Sequence, residues 1–343
     1  MKSEFDFKLL EFHELDDFLK FMKEHWDVNH IFIKDTSVFD WQHKGDQFYH
    51  YMIAKKNNEI VGIHGVIPLN HFDKKLPNNQ IFIALWRVIE GKGIGIGLRI
   101  FKQMLKAYEP NLIVGLPVTS AVNKFYETQG FKVVFLDHFV FLLNESKKFK
   151  IAQVPNDIER KELRINKKYE YKKLTIKDIK ALKTDHLYEY QLPLKSDDYI
   201  INRYMKHPIY KYEVFAVLNN QMVEALCVLR PIRKEGAVII TIMDFIGPDN
   251  KFPSIRFLAQ CLIKEYNAEY IDIYVYGIPQ EFLIDAGFID RKKYNNLIIP
   301  GYFEPFLKKN YNIGCAFKYS HVNIPIRIFK GDGDADRPRK MVA

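Results

Sequence analysis

Between residues 91 and 97 the chain reads Gly-Lys-Gly-Ile-Gly-Ile-Gly. A β-prone run, residues 81–89, precedes it, and Leu98, Phe101, Leu105 and Tyr108 follow at helical spacing. Glycine lets the chain turn sharply and leaves backbone N–H groups uncovered. At a helix N-terminus those groups lack internal partners and face a dipole that favours anions. The stretch builds a cradle for phosphate; a plain tight turn is the competing reading. No Gly-Lys-Ser/Thr closes it, so it is not a P-loop. Hairpins precede the strand, which fits the dinucleotide fingerprint poorly. Further on, after another short strand, stands a second polar string, Asn123-Lys124-Phe125-Tyr126-Glu127-Thr128-Gln129-Gly130-Phe131.

These residues need a frame, and the hydrophobic pattern supplies it twice. Residues 49–54 and 60–68 flank the turn Lys55-Lys56-Asn57-Asn58-Glu59 and read as a hairpin. Residues 212–218 and 222–230 repeat it around Asn219-Asn220. The long β-prone run before Gly91 is matched by residues 238–246 before Gly247. An amphipathic helix should follow each, the second carrying Phe257, Leu258, Cys261, Leu262 and Ile263. Short strands at 112–116 and 270–276 come next, then short helices ending at Gly130-Phe131 and Gly287-Phe288. Landmarks recurring in one order, about 160 residues apart, indicate a duplicated domain. Each half is expected to be an α+β mixed-sheet domain, not a doubly wound one.

The expected boundaries are a first domain at 1–145, a charged linker at 146–173, a second domain at 174–330 and a tail at 331–343. The linker holds Lys147-Lys148-Phe149-Lys150 and the turn signal Pro155-Asn156-Asp157. The second half lacks both polar strings. Pro248 has no N–H to offer after Gly247, and Leu283 stands in the place of Tyr126.

Composition excludes several classes. The 343 residues are 48% hydrophobic, with 27 Phe and 20 Tyr, which supplies large cores and rules out disorder. No apolar run approaches the roughly 18 residues that span a bilayer, so no membrane insertion is expected. The first residues are charged rather than apolar, so no signal segment is expected. Cys227, Cys261 and Cys315 are scattered and form neither a disulfide framework nor a zinc pattern. The expected setting is cytoplasmic. The eleven histidines show no metal spacing, so no metal site is expected; His64, between apolar strand segments, reads as a core histidine. The net charge of +9 fits either plain solubility or an anionic partner. Nothing looks like a nucleic-acid module, and a phosphate-rich small molecule accounts for the charge as well as any other partner.

The glycine stretch followed by Asn-x-x-Tyr-x-x-x-Gly-Phe resembles the GNAT superfamily of CoA-dependent N-acyltransferases. The resemblance implies two tandem GNAT-like domains, the second degenerate. It implies that Lys92, Gly93, Ile94, Gly95 and Gly97 bind the pyrophosphate of CoA. It places Asn123 by the pantetheine arm or the adjacent helix and makes Tyr126 the acid that protonates the departing thiolate. Glu90 departs from the Gln or Arg usual before the glycines.

A second resemblance extends over nearly the whole chain. It rests on Trp41-Gln42-His43, on Tyr199-Ile200-Ile201-Asn202-Arg203-Tyr204-Met205-Lys206-His207-Pro208-Ile209-Tyr210, and on Ile242-Met243-Asp244-Phe245-Ile246-Gly247. Ile299-Pro300-Gly301-Tyr302-Phe303-Glu304-Pro305-Phe306 and Asp332-Gly333-Asp334-Ala335-Asp336-Arg337-Pro338 complete it. These strings are similar to tandem-GNAT sugar N-acyltransferases of bacterial surface-glycan synthesis. That implies transfer of a short acyl group, 3-hydroxybutanoyl among the candidates, to a dTDP-linked amino-dideoxy sugar. No chemical role is assigned to the tail.

Amide formation from a thioester needs a proton acceptor for the amine, a donor for the oxyanion and close positioning. The backbone N–H near Val88 and Ile89 suits the thioester oxygen. Asp244 interrupts an apolar strand, where a carboxylate is costly unless partnered. It is a candidate for amine binding or proton removal, against a buried Asp capping the next turn or paired with Arg203. Glu90 is a second candidate base, against plain solvent exposure. Arg87 suits phosphate and Trp86 suits the acyl or sugar pocket, on opposite faces by alternation. Arg203, Tyr204 and His207 share about one helical turn and suit a sugar diphosphate, against a structural cap ended by Pro208. Tyr302 and Glu304 follow Pro300-Gly301 and suit stacking on a base or sugar and binding of hydroxyls.

The expected partners are acyl-CoA as co-substrate and a nucleotide-linked amino sugar, with no metal and no nucleic acid; a homodimer stays open. The cysteines lie outside these motifs, so direct attack is favoured over a covalent enzyme intermediate. The alternatives are a peptidoglycan-type aminoacyl ligase of the duplicated fold and an acyl-CoA sensor without turnover.

Overall fold

A computed structural model describes residues 4–93, 95–143, 149–158, 168–182, 184–303, 307–320, 323–334 and 337–338. Two mixed sheets organise them into two units. Residues 1–133, 315–321 and 333–343 form the first unit, and 134–314 with 322–332 form the second.

The first unit opens with β1 (Asp6–Leu10), followed by α1 (Leu15–His25), α2 (Ile31–Lys34) and α3 (Thr36–His43). Then come β2 (Tyr49–Lys56), β3 (Glu59–Pro68), β4 (Gln80–Val88), α4 (Ile96–Tyr108), β5 (Leu112–Val118), α5 (Ser120–Thr128) and β6 (Lys132–Phe135). β2 and β3 meet at Asn57 and Asn58, whose φ values of 51° and 65° make the tight hairpin turn that asparagine tolerates. α4 buries Ile96, Ile100, Phe101 and Met104 on one face of the sheet, each contributing roughly 1.5–3 kcal/mol by burial. α1 to α3 cover the other face through Phe18, Phe21, Phe32 and Phe39.

The second unit holds β7 (Asp137–Phe141), β8 (Glu170–Leu174), α6 (Ile176–Ala181), α7 (Asp197–Ile200), β9 (Glu213–Asn219), β10 (Met222–Lys234) and β11 (Ala237–Ile246). It continues with α8 (Arg256–Tyr266), β12 (Ile271–Tyr276), α9 (Gln280–Asp285), β13 (Ile289–Asp290) and β15 (Ile328–Phe329); β14 (Gly314–Tyr319), which precedes β15 in sequence, belongs from Cys315 to the first unit and pairs in the first sheet. Its hairpin turn repeats the first one, with φ of 49° at Asn220 and 66° at Gln221. A short 3-10 helix, Asp249–Ile255, stands where the first unit has its glycine loop.

The strand orders are β1-β2-β3-β4-β5-β14-β6 and β13-β7-β12-β11-β10-β9-β8, with β15 pairing β12. β14, from late in the sequence, lies between β5 and β6; β7, from the first half, lies between β12 and β13. The duplicated halves thus exchange one strand each. A continuous first domain to residue 145 does not describe the sheets, because residues 137–141 pair with β12 and β13. Nor is all of 146–173 a linker: β8 begins at Glu170 and pairs with β9. Residues 331 and 332 belong to the second unit, and the tail from Gly333 belongs to the first.

Candidate functional site

β4 and β5 run parallel and pair only from Gln80–Leu112 to Ile83–Gly115. At that point the ladder of β4 against β3 shifts: His64 faces Trp86 but Val66 faces Ile83, so β4 carries one extra residue opposite Gly65. Such a bulge kinks its strand and re-aims the side chains beyond it. Beyond the last pair, β4 and β5 part. A cavity of about 410 Å³ opens in the fork, walled by Ala84, Leu85 and Trp86 from β4 and by Leu116, Pro117 and Val118 from β5. Tyr126 from α5, His30 before α2, and Asp334 with Arg337 from the tail also line it.

Tyr126 is 3% exposed. Its ring is held between Phe131, at 5.1 Å, and Phe125, at 5.6 Å. Its hydroxyl stands over Gly115 at the fork: a Cβ there would lie 3.7 Å from that oxygen, in ordinary van der Waals contact. Burial, with the negative charge of Asp334 as the next cause, pushes the phenol above its ordinary value, so it stays protonated. Trp86 packs against His64 at 5.1 Å and Phe125 at 5.0 Å while lining the cavity. Arg87 points to the other face and is exposed, as alternation requires.

The glycine loop enters α4 without a side-chain cap. Gly91, Gly93 and Gly95 have φ of 75°, 152° and 77°, backbone that side-chain-bearing residues rarely adopt. Lys92 and Glu90 are exposed beside it. Gly97, in the first turn of α4, lets the helix approach Trp86: a Cβ would lie 3.4 Å from the indole. Ile94 lies outside the described residues. Asn123 sits one turn before Tyr126 on α5, with a buried Oδ1 that has no hydrogen-bond partner among the described residues. The N–H of Ile89 is bonded to Val61 O at 2.9 Å, so it is not free for a thioester oxygen. Strand alternation turns the N–H of Val88 to the opposite edge, the one β5 has left.

The other expected residues belong to the second unit. Asp244 is fully buried and paired with Lys195 at 2.5 Å, while Tyr204 donates to it at 2.9 Å. Lys195 also lies 3.1 Å from Asp332. Arg203, one of the alternative partners considered for a buried Asp244, donates to Gly331 O at 3.2 Å. Arg203 and Tyr204 are 3% and 1% exposed within a π-helical turn, so they do not form an open grip for a diphosphate. His207 accepts the N–H groups of Ile209 and Tyr210 at 3.1 and 2.9 Å, which caps the turn that follows the helical segment. Tyr302 is 5% exposed and packs edge-on to Tyr274, with Lys330 above its ring. Glu304 lies outside the described residues.

Asp244 marks why this unit differs. β11 carries the same kind of shift after its last parallel pair with β12, Ile242–Ile273. There the fork is filled. β15 pairs with Val275 and Tyr276 of β12, and Gly331 presses so close that a Cβ would meet Tyr204 Oη and Met243 O at 2.5 and 2.7 Å. Leu283, in the place of Tyr126, is fully buried.

Sequence reasoning missed the bulge, Gly115, His30, Asp334 and Arg337. The signal available for the last two was the string around Gly331 and Gly333, small residues where chain packs on chain. Among the described residues no group of His, Cys, Asp and Glu is placed to hold a metal. No helix among them is long and apolar enough to cross a membrane.

No family model and no curated protein matches the chain. Solved structures do. A conserved protein of unknown function from Enterococcus faecalis V583 superposes with TM-score 0.56 at 10% identity, over 92% of this chain and 72% of that one. A GCN5-related N-acetyltransferase from Anabaena variabilis superposes with TM-score 0.55 at 10% identity, over 91% and 72%. The likeness is one of fold: over most of its length the chain carries the mixed α+β architecture of a GCN5-related N-acetyltransferase.

Proposed function

We propose that the protein is an acyl-CoA-dependent N-acyltransferase, and that its acceptor is the amino group of a nucleotide-linked amino-dideoxy sugar. The observation that carries the first part is the Tyr126 hydroxyl over Gly115, in an open fork of β4 and β5. The uncapped glycine loop of α4 adds a phosphate cradle. The acceptor class rests on the resemblance of the strings quoted above, and the acyl group on the same resemblance.

In this reading the N–H groups after Gly93 hold the pyrophosphate, with Lys92 beside them. The pantetheine arm lies in the fork, where the strand edge of β4 offers unpaired N–H groups. Val88 presents one of these to the thioester oxygen as it gains charge. The neutral amine forms the C–N bond as the C–S bond breaks, and the electron pair leaves on sulfur. Tyr126, kept protonated by burial, supplies the proton that makes the thiol, and its oxygen regains one from the nitrogen as the amide forms. Trp86 walls the acyl group.

The test is CoA thiol release from a panel of acyl-CoAs, each with and without dTDP-linked 3-amino and 4-amino sugars. Release that requires one amino sugar supports both parts. Release with other amines alone removes the sugar reading. Tight acyl-CoA binding without release for any amine leaves a sensor and removes the enzyme.

A further inference from the structure

The tail brings two charged side chains to the cavity that the reaction above leaves unassigned. Gly333 lies against the backbone of β5 where the fork opens: a Cβ there would be 2.7 Å from Leu116 O. Only a glycine fits that approach, and it sets the next residue, Asp334, into the wall of the cavity. Asp334 is 8% exposed. Arg337 Nη1 donates to its Oδ2 at 2.8 Å and also to its main-chain carbonyl.

The guanidinium is fixed in turn. Its Nε lies 3.3 Å from His30 Nε2, and it sits over the Phe32 ring at 5.1 Å. No described residue donates to Asp334 Oδ1. A carboxylate held by one oxygen and open at the other is poised for a further donor. Asp27 adds a second carboxylate to the lining, while the guanidinium is already spent on Asp334. The polar part of this cavity therefore favours a cation, although the chain as a whole carries +9.

We propose that Asp334, oriented by Arg337, receives the protonated amine of the acceptor and takes one proton from it. This rests on the N-acyltransferase reading and supplies the proton acceptor that reading lacked. The ammonium gives one proton to Asp334 and becomes a neutral amine. Its nitrogen attacks the thioester carbon, and the sulfur leaves with the electron pair and takes the Tyr126 proton. The second nitrogen proton passes to the Tyr126 oxygen, and Asp334 returns its proton to water. Arg337 is a positioning residue, since it acts through Asp334.

The experiment uses n-butylamine as the probe and n-butanol as its neutral counterpart. Saturation-transfer NMR measures both on the full chain and on the variants Asp334→Asn, Asp334→Glu and Arg337→Gln, with thermal melting as the check of folding. Butylamine affinity should fall roughly tenfold or more in Asp334→Asn, as loss of a charge-assisted bond requires. It should be partly kept in Asp334→Glu, and butanol should be unchanged throughout. Equal butylamine affinity in the wild type and Asp334→Asn overturns the proposal, and so does absence of butylamine saturation in the wild type. A separate acetyl-CoA titration distinguishes the two readings: no acetyl-CoA binding sinks the transferase, whereas the amine site stands or falls on the NMR.

Discussion

The hydroxyl of Tyr126 stands over Gly115, 3.7 Å from where a Cβ would be, at the last rung between β4 and β5. The missing side chain, the bulge opposite Gly65 and the end of the ladder coincide in one place. A proton donor kept neutral by burial thus meets the mouth of an opened strand pair. If this donor acts on the thiolate, Tyr126→Phe lowers kcat by on the order of 10²-fold, the low end for general acid catalysis. The dissociation constant of acyl-CoA should stay within about twofold, since a proton donor acts in the transition state. An unchanged kcat removes Tyr126 from the chemistry.

Gly115 gives an independent handle on the same spot. A Cβ at this position would already lie 3.1 Å from Val118 Cγ1, so the methyls of Gly115→Val would crowd that side chain and displace the tyrosine hydroxyl. Overpacking of this kind costs about 1–3 kcal/mol. Turnover should fall further than the loss of stability explains, and urea unfolding beside steady-state kinetics separates the two.

The glycine loop is tested by Gly95→Val. Its φ of 77° is costly for a β-branched residue, so the start of α4 must rearrange. Calorimetry should show CoA affinity falling about tenfold or more. Affinity for a dephosphorylated pantetheine thioester, which lacks the pyrophosphate, should change little. Equal losses for both ligands would place the pyrophosphate elsewhere.

Much of the fold is legible in the residues, and the reasons differ by element. The hairpins, the two long strands and the Gly-Phe helix ends are local features. Asn57-Asn58 and Gly130 encode their backbone angles directly, and all three have positive φ. The exchange of β7 and β14 is not local. An apolar strand reads alike whichever sheet it joins, so the pattern carries no sign that residues 137–141 pair with β12. Asp244 stands out as an anomaly in an apolar strand, but its partner Lys195 lies far away in sequence. Its catalytic reading follows from a carboxylate whose counter-ion the sequence does not reveal. Asp334 stands in one of the resembling strings yet gains no role there, because the sequence does not show Gly333 pressed onto Leu116.

The buried ions of the second unit should behave as structure. Lys195→Met leaves Asp244 and Asp332 together without their cation, and Asp332 is already pushed above the usual carboxylate range by burial. Breaking such a buried pair typically costs about 3–5 kcal/mol. The triple variant Lys195→Met, Asp244→Leu, Asp332→Leu should recover part of that loss. Denaturant midpoints decide it; a single variant as stable as wild type would show the cluster to be dispensable.

Buried neutral histidines predict acid sensitivity. Burial pushes His64 down to about 3 from an ordinary 6.5. A folded-state value below the unfolded one means that protonation favours the unfolded chain. The contribution is intact above pH 6.5 and is lost as pH falls from 6.5 toward 3. His64→Leu should remove it, so the stability of wild type relative to the variant should fall by about 1.4 kcal/mol per pH unit below about pH 6. A difference independent of pH would mean that His64 titrates normally in the folded state.

One open fork in the first unit and one filled fork in the second are the features on which the functional reading depends, and their most direct measurement is the stoichiometry of acyl-CoA binding. Isothermal titration of the full chain with acetyl-CoA should give one site per chain, with binding weakened by Gly95→Val and not by Lys251→Ala within the second unit's 3-10 helix. Absence of binding, or two equivalent sites per chain, would contradict it.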